Sequence, residues 1–131
     1  MGNFNSSLVL QKIVFDKFEF NRKGFKNENE LNFELQVQIG ISEDDTHRVT
    51  LVLSGEKQDE YNITISLSGF FKIEKSEEMD DKIMQQMISK NAVAILMPYL
   101  RSELTLLTAQ PDTESVVLPP FNINKMMEKK H

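Results

Sequence analysis

The side chains with chemical reach in this sequence fall into two clusters. Asp44, Asp45 and His47 lie close enough for one turn to offer two carboxylates and an imidazole to a metal ion. Glu77, Glu78, Asp80 and Asp81 crowd four carboxylates together, the raw material of a general acid and base. Each cluster has a plainer reading. Exposed polar residues of the first kind form solvated turns, and the only other histidine, His131, sits at the far end of the chain. The second cluster follows Ser76, and a serine cap with acids in the first turn is what a helix N-terminus favours. The chain has no cysteine, no Gly-x-Ser-x-Gly and no phosphate-loop glycines, so neither a catalytic triad nor a nucleotide cradle assembles. The expectation is a protein that is not an enzyme, with no catalytic residue, no metal and no cofactor.

Charge narrows the partners. Fifteen basic residues against twenty acids leave a net charge of -5. Nine of those acids lie between Glu28 and Glu60, opposed only by Arg48 and Lys57. Nucleic acid is excluded on this balance, because neutralising phosphates needs a basic face. The longest apolar run, Ala92 to Leu100, is half of the roughly 20 residues that a membrane helix requires. No charged-then-apolar leader opens the chain, and the absence of cysteine suits a reducing compartment, so a cytoplasmic protein without a membrane span is expected. A length of 131 residues with 40% hydrophobic composition fits one domain over 1–131, large enough to bury a core.

The elements that would carry any site follow from hydrophobic periodicity. Leu31, Phe33, Leu35, Val37, Ile39 and Ile41 occupy alternate positions, as do Val49, Leu51 and Leu53, and then Tyr61, Ile63, Ile65, Leu67, Phe71 and Ile73. Such alternation predicts antiparallel strands with one buried and one wet face. The segments 42–47 and 55–60 read as hairpin loops. Between Leu8 and Phe20 the apolar parity changes, which calls for a bulge or break near Lys12. Residues 21–30 are long and polar enough to cross over the sheet. From Ser76 the period becomes helical, with Asn91 as a cap for a second segment and Pro98 within it, where a kink is expected. The seven methionines, Met79, Met84 and Met87 among them, read first as core packing and second as an adaptable binding surface. The strip Val116-Val117-Leu118-Pro119-Pro120-Phe121 can be neither helix nor central strand, so it lies extended.

The run Asn91-Ala92-Val93-Ala94-Ile95-Leu96-Met97-Pro98-Tyr99-Leu100-Arg101, followed by Val117-Leu118-Pro119-Pro120-Phe121-Asn122-Ile123, closely resembles the SecB family of bacterial protein-export chaperones. The resemblance takes in the strands as well: Leu8 to Phe20, Leu31 to Ser42, His47 to Gly55 and Tyr61 to Glu74. It implies an α+β fold: a four-stranded antiparallel sheet, a meander with a crossover loop between its first two strands, then a long kinked helix and a short C-terminal helix stub. It implies an ATP-independent holdase for non-native polypeptides, assembled as a homotetramer, a dimer of dimers. Carried over by position, Phe20, Phe25, Val116, Val117, Leu118 and Phe121 would bind clients, and Val93, Leu96, Met97 and Leu100 would form the oligomer interface. The implied partners are unfolded or precursor polypeptides, the SecA motor, or a toxin–antitoxin partner. Two other readings stay open: an interaction module of this fold without client-holding activity, and a small-ligand binder using the cleft between sheet and helix.

Overall fold

A computed structural model describes residues 7–74 and 81–118. Strands β1 (Ser7–Arg22), β2 (Leu31–Ile41), β3 (His47–Lys57) and β4 (Tyr61–Glu74) form one antiparallel sheet in the order β1-β4-β3-β2, and helix α1 (Asp81–Thr108) packs on one face. The connections β2–β3 and β3–β4 are hairpins, while residues 23–30 carry the chain from one edge of the sheet to the other. This is the expected meander with its crossover loop. Phe121, Met79 and the expected helix stub lie outside the described residues.

Alternation does the sorting. In β2, β3 and β4 the odd-numbered residues point toward the helix, and Leu35, Val49, Leu51, Leu53, Ile63, Ile65, Leu67 and Phe71 are buried there. Strand β1 keeps six apolar residues on that same face only by inserting two extra residues. Its register against β4 shifts between Leu10 and Lys12 and again between Phe15 and Lys17. The first bulge lies where the sequence required one; the second, at Asp16, restores the original parity so that Phe18 and Phe20 face the helix opposite Ile65 and Ile63. Val14, by contrast, pairs with Ser68 and faces outward.

The helix buries Ile88, Ala92, Val93, Leu96, Met97, Leu100 and Leu104, a stripe of helical period. It approaches closely at Gly69, where a Cβ would stand 2.7 Å from Leu96 Cδ2. Asn91 does not cap a second segment, because the helix runs through it without a break. Pro98 is interior to the helix and exposed, as is Ala94 one turn before it. The carbonyl deprived of its donor thus lies on the wet face, where water can replace the lost hydrogen bond. His47 opens β3 with its side chain buried on the helix face, which separates its imidazole from the exposed Asp44 and Asp45 of the hairpin.

Candidate functional site

One helix cannot cover this sheet. Four strands about 4.8 Å apart are wider than the roughly 10 Å of a helix with its side chains. The central strands β3 and β4 are therefore sealed while the edges stay half open. On β1, Leu8, Leu10, Ile13, Phe15 and Phe20 are only partly buried and Phe18 is 49% exposed; on β2, Leu31, Phe33, Val37 and Ile39 are partly buried and Ile41 is exposed. Two apolar flanks consequently run beside the helix.

The crossover loop closes one end of this surface, and Glu60 anchors it. The Glu60 carboxylate is fully buried and accepts hydrogen bonds from Lys57 Nζ and from the Asn27 backbone amide, both at 2.9 Å. Its backbone carbonyl accepts from Lys23 N at 2.7 Å and Gly24 N at 3.1 Å. The loop passes so close that a Cβ on Gly24 would sit 2.2 Å from the Asp59 carbonyl oxygen. Burial works to raise the Glu60 carboxyl pKa, but the hydrogen bonds from Lys57 and Asn27, with the charges of Lys57 and Arg22, outweigh it and hold the group below the usual carboxylate range.

Arg22 then clips the crossover loop to the segment after the helix. Its guanidinium lies over the Phe20 ring at 5.6 Å and donates to the Gly24 carbonyl at 2.8 Å, to Thr113 Oγ1 and to the Asp112 carbonyl. The Lys26 amide donates to Asp112 Oδ2 at 3.1 Å, and Asp112 itself takes a left-handed φ of 55° to turn the chain. Beyond that turn the chain folds back along the helix: Val116 N donates to Thr108 Oγ1 at 2.8 Å, and Thr105 Oγ1 donates to the Val116 carbonyl at 2.7 Å.

These contacts decide where the residues singled out in the sequence lie. Phe20 is half-buried and stacks on Tyr61 with ring centroids 4.7 Å apart. Phe25 is 85% exposed and Val117 76% exposed, on two segments that Arg22 and Asp112 hold together. Val116 packs partly against the core and Leu118 is buried in it, so of the described part of the strip only Val117 is fully open to a client. Val93, Leu96, Met97 and Leu100 are almost wholly buried against the chain's own sheet and have no surface left for a second copy. What the helix leaves open is a flank carrying Ile95, half-buried, and Tyr99 and Leu106, both exposed. Glu60 and Arg22 are the residues that sequence reasoning missed. A buried acid and a solvated one look alike in a sequence, and the chain that covers Glu60 comes from some thirty residues earlier.

Among the described residues there is no group of three or more His, Cys, Asp or Glu able to hold a metal, and no helix is long and apolar enough to cross a membrane. No protein-family profile matches the chain. Its fold is that of a SecB-like chaperone: the Mycobacterium tuberculosis SecB-like chaperone, solved in complex with a ChAD peptide from the HigA1 antitoxin, superposes with a TM-score of 0.73 over 88% of each chain. At 12% identity that likeness shows the fold alone. An uncharacterized protein of Methanocaldococcus jannaschii is 31% identical over 127 residues, an alignment spanning 93% of this chain and 80% of that protein. With that identity over nearly its full length, the chain belongs to the same family as this M. jannaschii protein.

Proposed function

We propose that the protein is a SecB-like holdase, a single domain over 1–131 that binds non-native polypeptides in the cytoplasm without ATP and works as a homo-oligomer. The observation that carries this reading is the apolar surface left open at the sheet edge and the crossover end: Phe18, Phe25 and Val117 are all about half exposed or more. Exposed apolar side chains this large, on elements pinned by hydrogen bonds, form a surface that an unfolded chain can cover with its own apolar residues. Clients would be export precursors or one dedicated polypeptide, and the M. tuberculosis neighbour in complex with an antitoxin peptide supports a polypeptide ligand.

The test is light scattering from a chemically denatured client diluted into buffer with and without the protein. The parent should suppress aggregation. Phe25→Ser with Val117→Ser should stay folded and weaken client affinity on the order of a hundredfold, given roughly 1.5 kcal/mol for each buried side chain. Leu118→Ser should instead unfold the protein, since Leu118 belongs to the core. A parent protein that leaves client aggregation unchanged would overturn the proposal.

A further inference from the structure

The outer face of the sheet, away from the helix, carries a second site. Four glycines fall among the described residues, and three have a steric reason to be glycine. A Cβ at Gly24 would strike the Asp59 carbonyl, one at Gly69 would strike Leu96 and Phe71, and one at Gly55 would press on Ile63 and Phe33. Gly40, inside β2, has none: a Cβ there would meet nothing within 4 Å, and its φ is not positive. Glycine weakens a strand interior, and one that neither the backbone nor the packing demands marks a place where something else comes close.

What surrounds Gly40 identifies the visitor. Gly40, Arg48, Phe70 and Lys12 are successive cross-strand partners over all four strands, in one outward-facing row. Lys12 Nζ lies 5.1 Å from the Phe70 ring centroid and Arg48 Cζ 5.3 Å from it, so one aromatic ring pins two cations. Arg48 is held further by Asp16 at 3.1 Å and by Ser68 at 3.2 Å. Lys72 adds a third cation, paired with Asp44 at 3.6 Å, whereas Lys12 has no carboxylate partner among the described residues. These groups line a groove of about 720 Å³, which shares Gly40 and Arg48 with a second of about 520 Å³ lined by Gln38, Thr50, Ser66 and the Asp16 carboxylate that pairs with Arg48. Three cations against the two carboxylates of Asp16 and Asp44 leave this row locally positive in a chain of net charge -5, and Lys12 is its cation without a carboxylate partner among the described residues.

We propose that this trough on the outer sheet face binds an extended acidic segment of a partner polypeptide, its backbone lying over Gly40 and its carboxylates meeting Lys12, Arg48 and Lys72. Two grooves that meet at Gly40 and Arg48 offer an extended chain a continuous path over the sheet face. The inference does not rest on the helix-side holdase reading, since the two surfaces lie on opposite faces and are read by separate assays.

The experiment is a fluorescence-anisotropy titration of the full chain at low salt with labelled octaglutamate, with labelled octalysine and inorganic phosphate as comparisons. Octaglutamate should bind at least tenfold more tightly than octalysine and release as salt rises. Gly40→Val should weaken octaglutamate binding at least tenfold while melting at the same temperature or higher, a pairing that a merely structural glycine would not give. Lys12→Glu should weaken it comparably, and this variant decides the matter if Gly40→Val fails to fold. Equal binding of the two peptides, or undiminished binding by the folded variants, would overturn the proposal. Displacement of the probe by an equimolar amount of phosphate would overturn the peptide assignment and leave a small-anion site.

Discussion

His47 shows how much one buried titratable residue can govern. Burial pushes its imidazole pKa below the ordinary 6.5, with the Asp45 charge opposing only in part, and its Nδ1 has no hydrogen-bond partner. The folded state therefore prefers the neutral ring. As pH falls through about 6.5 the unfolded chain takes up a proton that the folded one refuses, so stability declines on the acid side and is retained above it. Urea denaturation should therefore give a lower stability at pH 5.5 than at pH 7.5, and His47→Met should remove most of that difference. An unchanged difference in the variant would assign the pH dependence to other groups. The burial of His47 was legible, since it shares the odd parity of Val49, Leu51 and Leu53. The burial of Glu60 was not, because its cover is the crossover loop and not the helix.

Among the elements, the crossover loop depends most on a single anchor. Glu60→Gln keeps an acceptor for the Asn27 amide but leaves the Lys57 ammonium, itself nearly buried, without a countercharge. Removing one partner of a buried pair should cost about 3 kcal/mol by urea denaturation. A loss below about 1 kcal/mol would mean that water already reaches the pair. Element types were readable from period, strict alternation marking β2 to β4 and the parity change the first bulge of β1, whereas the crossover order rested on the length of residues 21–30 and on the family resemblance. The second bulge had its marker too, the return of Phe18 and Phe20 to the parity of Leu8 and Leu10, but Val14, which shares that parity and faces outward, blurred it. The unbroken helix was hidden because Asn91 and Pro98 are local stop signals, overridden when packing against Gly69 and the sheet holds the turns on either side.

For the whole molecule, the residues first assigned to an interface are core, and the assembly surface that the holdase proposal needs is placed instead on the flank of α1 with Ile95, Tyr99 and Leu106. Sedimentation at micromolar concentration should give an oligomer, and Leu106→Glu should reduce its mass without altering helix content; a monomeric parent would refute this. Apolar amount alone could not locate that surface, because Leu96 and Leu106 differ in the direction they point and not in hydrophobicity. The two bulges of β1 reach further than keeping its side chains in line. An edge strand of this length is a template on which other chains could stack without end, and apolar flanks would reinforce the stacking. Its even stretches are interrupted at Gln11 and at Asp16, leaving only short runs in which a neighbouring strand could stay in register. The same insertions that save the core thus guard a molecule with much open apolar surface against runaway polymerisation.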